Sequence, residues 1–515
     1  MNQEESKNKD VSFLWLILAA ILFFFANGRW TLPIASWLAP VFLLRFVRNK
    51  KPLPGLLIGL LMVNIISIFS WRGMIPAGGI YYYIIIFTLF SLFFIPFIID
   101  RLMSPKIKGF KSTLVLPLAA AAIEYLYSIF FPWGSWCTMG YSQSEDIFLL
   151  QLVSITGLWG LSFIIYWFAS TVNWVWENKF NWEKTKKGLL CYGFVFVFVV
   201  LYSAIRLTFF LPDAPTVRIA SIGRPNTEAV KTYEKYVSDI ANSYNPSEFK
   251  VTDEHINSFL RESIKGIHDG VLELSRKEAR AGAKIIFWSE NCAPALKKDS
   301  ENLISEEQII SRGKAFALEE NVYLGMSLQV VNNPEVLLDN TFVLIDPTGK
   351  ILFEFFKAHP IFPSESSVTR TRSKELPTAE TPYGKLSVVI CHDMDFHDLL
   401  QQAGKLDVDI LFDPSYDWKT IDPFHTYMAK FRAVEQGFSM IRHTYHGLSI
   451  ATDYYGRVLA LMDHYTSDES RMVSYVPTKG ITTLYSIIGD LFAWLCIAGL
   501  IWLIIVWKTA TMDAK

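Results

Sequence analysis

The sequence predicts an α-helical integral membrane domain of eight transmembrane helices, with an α/β sandwich domain inserted before the last helix. Three observations support this fold class. Of the 515 residues, 51% are hydrophobic and 15% aromatic, yet 19% are charged, a mixture typical of a chain divided between lipid and water. Long apolar segments fill the first two-fifths of the chain and recur near its C-terminus. Between positions 215 and 479 the composition is that of a water-soluble domain.

Eight apolar segments are predicted to cross the bilayer. A spanning helix needs about 20 apolar residues; the first two segments are shorter than this, and the others reach it. Core helices of a soluble protein are the alternative, but the number and length of the segments argue against it. A signal peptide is not expected, because no small-residue cleavage site follows the first segment. The predicted segments are 13–26, 32–44, 53–71, 80–99, 114–131, 147–176, 189–211 and 484–507.

The charges between these segments predict the orientation of the chain. Cytoplasmic loops carry an excess of Lys and Arg. The second, fourth and sixth loops contain twelve basic residues, whereas the first, third and fifth contain only Arg29 and Arg72. Both termini are therefore predicted to be cytoplasmic, and the insert before the last helix to be extracytoplasmic. The basic residues of the even loops are Arg45, Arg48, Lys50, Lys51, Arg101, Lys106, Lys108, Lys111, Lys179, Lys184, Lys186 and Lys187.

The insert alternates short β-rich runs with helical patterns. This alternation favours a layered α/β domain with helices outside a sandwich. The first helical pattern, 256–281, has apolar residues at helical spacing and Gly282 placed to end it. The domains are thus a membrane domain at 11–211, an inserted domain at 215–479 and a last helix at 484–507. Strands are predicted at 217–222, 284–288, 322–329, 341–346, 351–356, 386–390, 410–412, 447–452 and 458–462, and further helices at 306–320 and 424–436.

Three of the predicted strands end in a reactive side chain. "KIIFWSE" ends at Glu290, "KILFEFFK" presents Lys357, and "KLSVVIC" ends at Cys391. Taken singly, each has an ordinary explanation: a solvated turn, a surface lysine or a core cysteine. Chemistry tends to lie at strand ends in α/β domains. Together the three supply a base, a cation and a nucleophile, the groups that covalent acyl transfer requires.

Other classes of function find little support in the sequence. The net charge of −1 gives no basic field for nucleic acid. The five cysteines are scattered, without a CxxC pair or a Cys/His ladder. We therefore expect neither a metal site nor a cofactor.

Several motifs resemble one known family in the same order along the chain. "FPWGSWCTMGYSQ" (131–143), "TGLWGLSF" (156–163) and "TTLYSIIGD" (482–490) are similar to that family's segments around helix six and before the last helix. Residues Glu290, Lys357 and Cys391 match the Glu–Lys–Cys triad of the nitrilase, or carbon–nitrogen hydrolase, superfamily. The whole chain resembles the apolipoprotein N-acyltransferase family, and this implies that the insert is a nitrilase-like αββα sandwich.

The resemblance also implies three supporting residues. Glu365 matches the family's second glutamate near the active site, and Trp418 matches a loop tryptophan. Asp393 stands where the family carries glutamate, because this chain reads Cys-His-Asp in place of the usual Cys-Tyr-Glu. Asp393 could orient Lys357 or the acceptor amine, and a purely structural turn role is the alternative.

The function implied by the resemblance is N-acyl transfer in the bacterial inner membrane. A fatty acyl group would pass from a phospholipid donor, through a thioester on Cys391, to the N-terminal amine of a diacylated lipoprotein acceptor. The implied partners are these two lipids and the bilayer, with no nucleic acid. Two alternatives stay open: a membrane-tethered amidase that uses the same triad with water, and a non-catalytic membrane scaffold.

Overall fold

A computed structural model describes residues 11–243, 258–299, 303–332, 337–467 and 470–512. The chain divides into two compact units. The first, here called the helical unit, comprises Met1–Phe130, Ser135–Thr208 and Gly489–Lys515. The second, here called the sandwich unit, comprises Phe131–Gly134 and Phe209–Ile488. A four-residue piece of the loop after the fifth apolar segment therefore belongs to the sandwich unit.

The α-helices of the described chain are numbered in chain order. Short 3₁₀ turns lie between some of them, including one at Cys391–Asp395. The helices are α1 Ser12–Ala26, α2 Pro33–Asn49, α3 Pro52–Ser70, α4 Gly79–Met103, α5 Val115–Phe130, α6 Ile147–Leu150, α7 Val153–Thr156, α8 Leu158–Glu177, α9 Trp182–Phe209, α10 Glu228–Ser243, α11 Ser258–Arg280, α12 Glu306–Glu320, α13 His397–Lys405, α14 Phe424–Gln436, α15 Leu484–Ile488 and α16 Leu491–Met512.

Six helices in the described part of the chain are long and apolar enough to cross a membrane. They contain α3, α4, α5, α8, α9 and α16. Helix α1 is apolar but has only 15 residues, and α2 has 17 with two arginines. Several apolar helices are thus confirmed, whereas a total of eight spanning helices stays a prediction.

Two of the predicted spanning segments are broken in the structure. The segment 147–176 was expected to be one helix but forms α6, α7 and α8. Gly157 adopts φ +64, ends α7 and divides it from α8. The segment 484–507 begins with the separate helix α15, and Gly489 at φ +57 divides it from α16. Glycine reaches this left-handed conformation without the steric cost that a Cβ atom imposes. The apolar pattern is continuous across both breaks, so hydropathy alone did not show them.

The sandwich unit contains thirteen described strands in two sheets. One sheet has the order β13-β1-β2-β4-β5-β6, with β3 paired to β4, and the other has the order β12-β11-β10-β9-β8-β7. The strands are β1 Thr216–Ile222, β2 Ile285–Trp288, β3 Ala293–Leu296, β4 Tyr323–Asn332, β5 Leu337–Ile345, β6 Ile351–Phe356, β7 Thr378–Thr381, β8 Gly384–Val388, β9 Ile410–Tyr416, β10 Ser439–Tyr445, β11 Leu448–Thr452, β12 Val458–Asp463 and β13 Arg471–Pro477.

The two sheets face each other across one apolar core. This core joins Ile219, Phe287 and Phe342 of the first sheet to Val388 and Phe412 of the second. A second core covers the other face of the first sheet with side chains of α10, α11 and α12. Alternating side chains on each strand point to opposite faces, which allows the first sheet to serve both cores. Helix α14 packs on β10 and β11 of the second sheet, so the layers are helix, sheet, sheet and helix, as predicted.

The predicted elements of the insert are mostly found close to their expected places. Helices α12 and α14 and strand β6 have the predicted bounds. Helix α11 ends at Arg280, two residues before Gly282 at φ +100; the predicted start at 256 lies outside the described residues. The prediction missed β3, β7, β10 and β13 and the helices α10 and α13. Strand β10, "SMIRHTY", carries Arg442 and His443 in a fully buried run, and charged residues in a strand interior contradict the apolar pattern used to find strands.

Candidate active site

The side chain of Glu290 lies just beyond the end of β2. The strand continues to Ser289, whose N–H donates to the carbonyl of Ile222 on the neighbouring strand. Glu290 is buried, and its Oε1 accepts hydrogen bonds from Lys357 Nζ at 2.8 Å and from Asn340 Nδ2 at 2.7 Å. Its Oε2 has no hydrogen-bond partner among the residues that the structure describes. A buried carboxylate oxygen without a donor is available to accept a proton from a substrate or nucleophile.

Lys357 follows directly on β6 and is fully buried. Its backbone N–H donates to the carbonyl of Asn340 on β5 at 2.9 Å, so the main chain is still paired at this point. The ammonium group contacts two carboxylates, Glu290 Oε1 at 2.8 Å and Glu365 Oε2 at 2.7 Å. Burial by itself lowers the pKa of Lys357, but the attraction of Glu290, Glu365 and Cys391 outweighs it and raises that pKa well above its usual value. The site therefore keeps a permanent cation.

Glu365 is held by a tight turn of the chain. Its N–H donates to the carbonyl of Ile361 at 2.7 Å, and its Oε2 accepts the Ile361 N–H at 3.0 Å. The structure thus brings Glu290, Lys357 and Glu365 into direct contact. Burial acts to raise the pKa of the Glu365 carboxyl, but the ammonium of Lys357 lowers it below its usual value. Burial raises the pKa of Glu290 above its usual value, although Lys357 opposes the shift. Of the two carboxylates, Glu290 is therefore the stronger base.

Cys391 begins the 3₁₀ turn after β8 and is buried. It adopts φ +53, a left-handed conformation that is uncommon for residues other than glycine and is often found at functional sites. Its Sγ lies 3.8 Å from the carbonyl oxygen of Tyr416. Burial raises the pKa of the thiol well above its usual value, the negative charge of Glu290 adds to this, and Lys357 opposes it. The resting sulfur is therefore a thiol, and it needs a base in order to become a nucleophile.

Asp393 connects the chain after Lys357 to the chain before Cys391. Its Oδ1 accepts the N–H of His359 at 2.7 Å. Its Oδ2 accepts the N–H of Ala358 at 3.3 Å and of Ile390 at 3.1 Å. All three donors are backbone groups, which corresponds to the structural role that the sequence left as the alternative. Asp393 therefore ties the backbone that follows Lys357 to the backbone that precedes Cys391.

Trp418 lies in the segment that follows β9 and is partly exposed. Its carbonyl accepts the N–H of Ile421 at 3.0 Å. This bond places the backbone of the segment but assigns no task to the indole. A role for Trp418 in the site stays a prediction.

Sequence reasoning missed a buried ionic network on the far side of Cys391. Asp413 Oδ1 accepts the Cys391 N–H at 2.9 Å, and Arg442 Nη1 donates to Asp413 Oδ2. His425 bridges two carboxylates, Asp417 at 2.8 Å through Nδ1 and Asp395 at 3.0 Å through Nε2. The missed members are Asp395, Asp413, Asp417, His425 and Arg442. Asp413 and Arg442 gave one signal in the sequence, since they stand in otherwise apolar runs and buried charges occur where they are paired. Asp395, Asp417 and His425 lie in polar or mixed stretches.

Asn340 was also missed, although it touches two residues of the site. Its side-chain amide donates to Glu290, and its carbonyl accepts from the backbone of Lys357. It lies in the interior of β5 within "LLDNTF". A polar pair between apolar strand residues was the available signal.

The ligand atoms of Cys391, Asp417 and His425 lie within 4.8 Å of one another, a spacing that a metal ion could occupy. The hydrogen bonds argue against that use. Both ring nitrogens of His425 already face carboxylates, and the guanidinium of Arg442 lies 3.3 Å from Asp417. Burial lowers the pKa of His425, but Asp417 and Asp395 raise it to about 9, and a protonated imidazole cannot bind a metal. The trio is best described as part of an ion-pair network.

Comparisons with known proteins agree with this fold. The carbon–nitrogen hydrolase family model matches residues 257–476, which form most of the sandwich unit. The model of the apolipoprotein N-acyltransferase N-terminal domain matches residues 19–171. The sandwich unit is thus of the carbon–nitrogen hydrolase class. Since both domains occur in one chain, in the order expected, this chain belongs to the apolipoprotein N-acyltransferase family within the nitrilase superfamily.

Individual relatives support the same assignment over most of the chain. An apolipoprotein N-acyltransferase of Geobacter metallireducens is 22% identical, with 76% of this chain and 73% of the relative covered. Apolipoprotein N-acyltransferase 1 of Treponema denticola is 24% identical, with 79% of this chain and 78% of the relative covered. Among solved structures, an amidase from Nesterenkonia sp. is 16% identical with a TM-score of 0.35, covering 52% of this chain and 92% of the amidase.

Proposed function

We propose that this chain is an N-acyltransferase that moves a fatty acyl group from a membrane phospholipid to the N-terminal amine of diacylated lipoproteins. The observation that carries the proposal is the buried Glu290–Lys357 pair beside the thiol of Cys391, in a chain that has both domains of the apolipoprotein N-acyltransferase family. Covalent catalysis needs a nucleophile, a base and a group that stabilises the oxyanion. Glu290, Lys357 and Cys391 supply these groups.

In the first half-reaction, Glu290 takes the thiol proton as Cys391 Sγ attacks the ester carbonyl of the donor. The negative charge that develops on the carbonyl oxygen is stabilised by Lys357 and by the backbone N–H that follows Cys391. Loss of one such donor typically costs about 10²–10³ in rate. The tetrahedral intermediate then collapses, the C–O bond breaks, and protonated Glu290 returns its proton to the leaving alcohol. A lysophospholipid departs, and the acyl group remains on Cys391 as a thioester.

In the second half-reaction, the amine of the lipoprotein attacks the thioester carbonyl. Glu290 accepts a proton from the amine as the C–N bond forms, and the C–S bond breaks. The sulfur leaves as a thiolate beside Lys357 and regains the proton from Glu290. The product is an amide, and the enzyme is restored. Because the two substrates use one site in turn, ping-pong kinetics are expected.

A membrane location suits this pair of substrates. Both are anchored in a bilayer, and the apolar helices hold the enzyme in the same two-dimensional phase. The basic residues of the even loops support an extracytoplasmic sandwich unit, where it would meet lipids of the outer leaflet by lateral diffusion.

Mass spectrometry of the intact protein tests the covalent step. We expect that wild-type protein incubated with phospholipid gains the mass of one fatty acyl chain on Cys391, and that Cys391→Ala does not. Addition of a diacylated lipopeptide should then discharge the adduct and yield the N-acylated peptide. If the adduct is released only to water, or a small amide is hydrolysed while the lipopeptide stays unmodified, the amidase alternative is correct.

A further inference from the structure

The backbone of Cys391 is held in place by a carboxylate that belongs to neither the base nor the cation of the proposed mechanism. Cys391 has φ +53, and its N–H is taken by Asp413 Oδ1 at 2.9 Å. A left-handed backbone at a residue with a side chain persists only where its surroundings enforce it. The bond to Asp413 is one such constraint, and it also means that the Cys391 N–H is not the oxyanion donor.

Asp413 is in turn held by Arg442 on the neighbouring strand β10. Strands β9 and β10 are parallel, with Asp413 opposite Arg442. Arg442 Nη1 donates to Asp413 Oδ2, and Nη2 lies 3.3 Å from Asp417 and 2.8 Å from Nδ1 of His425 on α14. Arg442 Nε donates to the hydroxyl of Thr426 at 3.2 Å. All of these side chains are fully buried, so the guanidinium is fixed on three sides and its charge is not screened by water.

The charges around the sulfur come from both sides of the site. Glu290 and Lys357 face it from the ends of β2 and β6, and Glu365 pairs with Lys357. Arg442 on β10 and Asp417, the residue after β9, face it from the side of the second sheet. The remaining titratable groups of this region are Asp413 on β9, His425 on α14, and His392, Asp393 and Asp395 on the turn of Cys391 itself.

We propose that Arg442 is a positioning residue for the nucleophile: it locks Asp413 onto the backbone N–H of Cys391 and provides, with Lys357, a second positive charge that stabilises the thiolate. This inference rests on the proposed role of Cys391 as the nucleophile. Arg442 does not contact the reacting atoms. It acts through its hydrogen bond to Asp413 and through the electrostatic effect of its positive charge on the Cys391 sulfur.

The electrostatics at Cys391 agree with this geometry. Burial raises the pKa of the thiol, and Glu290 and Asp417 raise it further, whereas Lys357 and Arg442 lower it. Lys357 is already neutralised by two carboxylates. Removal of Arg442 would leave Asp413 without its cation beside the Cys391 backbone and Asp417 with His425 as its remaining cationic partner. The thiolate would then form only at higher pH.

Alkylation of Cys391 in the full-length, detergent-solubilised protein tests the inference. Iodoacetamide reacts with the thiolate, so the rate of Cys391 carbamidomethylation against pH, followed by peptide mass spectrometry, reports thiolate formation. We expect Arg442→Gln to slow this reaction about tenfold at neutral pH, which corresponds to a pKa shift of about one unit, and to move the profile to higher pH. Arg218→Gln is the control, since Arg218 on β1 of the other sheet pairs with Glu278 on α11, and it should leave the profile unchanged.

A second variant covers the case in which Arg442→Gln does not fold. Arg442→Lys keeps the charge, but a single ammonium cannot reproduce the forked contacts of a guanidinium with two carboxylates. We expect Cys391 in this variant to react at least threefold more slowly than in the wild type. A wild-type profile in either folded variant overturns the inference. Failure of the proposed function is a separate result: no acyl adduct would form on Cys391 of the wild-type protein with phospholipid.

Discussion

At the scale of single residues, the site contains a lysine that stays protonated, Lys357, and a carboxylate that can gain and lose a proton, Glu290. Lys357 contacts two carboxylates and stays charged. Burial raises the pKa of Glu290, so this carboxylate binds a proton more readily than an exposed glutamate. A base with a raised pKa is better matched to a thiol whose own pKa is raised by burial. The pairing explains how a buried thiol can be activated by a carboxylate base.

The first prediction concerns the loss of this base. Glu290→Gln keeps the size of the side chain but cannot accept the thiol proton, so acyl transfer should fall by about 10²–10⁴ at neutral pH. The residual rate should rise with pH, because hydroxide then replaces the missing base. The measurement is the rate of thioester formation on Cys391 from phospholipid at several pH values. Glu354→Gln is the control, since Glu354 is an exposed residue on β6, and it should keep the wild-type rate.

The three proposed catalytic residues could be predicted from the sequence because each one ends an apolar run. The hydrophobic pattern of β2, β6 and β8 stops where Glu290, Lys357 and Cys391 begin to face the site. Arg442 and His425 could not be predicted in this way. They are buried and charged, and the partners that compensate the cost of burial come from distant positions such as Asp395 and Asp413. A linear sequence does not show these pairings.

At the scale of secondary-structure elements, helix α14 is joined to the turn of Cys391 by one histidine. His425, at the start of α14, contacts Asp395 of that turn and Asp417 after β9. Burial acts to raise the pKa of Asp417, but His425 and Arg442 lower it to about 2. Burial acts to lower the pKa of His425, but the two aspartates raise it to about 9. The interaction is thus between ionised groups throughout the neutral range.

The second prediction follows from the sign of these shifts. The stabilisation from His425 is complete below its unfolded pKa of about 6.5 and is lost as the pH rises through about 9. The stabilisation from Asp417 is complete above its unfolded pKa of about 3.9 and is lost as the pH falls through its folded pKa of about 2. His425→Gln should therefore destabilise the sandwich unit by about 3–5 kcal/mol at pH 6, with a smaller difference above pH 9. Thermal unfolding across this pH range measures it, and a difference independent of pH would contradict the prediction.

The third prediction compares two glycines that end helices. Gly437 ends α14 at φ +85, and a Cβ atom there would lie 1.8 Å from the carbonyl oxygen of Ile481. Gly282 follows α11 at φ +100 and has no atom within 4 Å of such a Cβ. Gly282→Ala should cost about 1–2 kcal/mol through backbone strain alone, and Gly437→Ala on the order of 4 kcal/mol, because the clash is added. The two melting temperatures measure the difference; equal losses would show that the contact with Ile481 relaxes.

The glycines that end helices also show which helix ends can be predicted from the sequence. The end of α11, two residues before Gly282, was predicted to within one residue, because glycine follows a long amphipathic pattern. The breaks at Gly157 and Gly489 were not, because apolar residues continue on both sides. The pattern of apolar residues shows which side chains are buried. It does not show where a helix breaks, because one residue with positive φ can join two helices whose side chains are equally apolar.

At the scale of the whole molecule, the chain combines an apolar helical unit with a two-sheet sandwich unit that carries every proposed catalytic residue. The last strand of the sandwich unit, β13, pairs antiparallel with its first strand, β1. An inserted domain whose first and last strands are neighbours returns the chain close to where it left. This pairing explains how a domain of more than two hundred residues can be placed between two helices.

The fourth prediction is the side of the membrane on which the sandwich unit lies. In a Cys191→Ser background, which removes the one exposed cysteine of the described chain, a membrane-impermeant maleimide is applied to spheroplasts. Leu318→Cys, on an exposed position of α12, should be labelled in intact spheroplasts. Lys184→Cys, in a basic even-numbered loop of the predicted topology and exposed, should be labelled only after lysis.

This labelling pattern decides more than topology, because the proposed acceptor presents its amine outside the cytoplasm. The predicted orientation has a physical basis in the cost of moving lysine and arginine side chains across the bilayer, which is expected to keep the even loops inside. Reversed labelling would place the thiol of Cys391 on the cytoplasmic side, where it could not reach such an amine. The acyl-transfer proposal would then fail on geometry, even if the adduct on Cys391 formed in detergent.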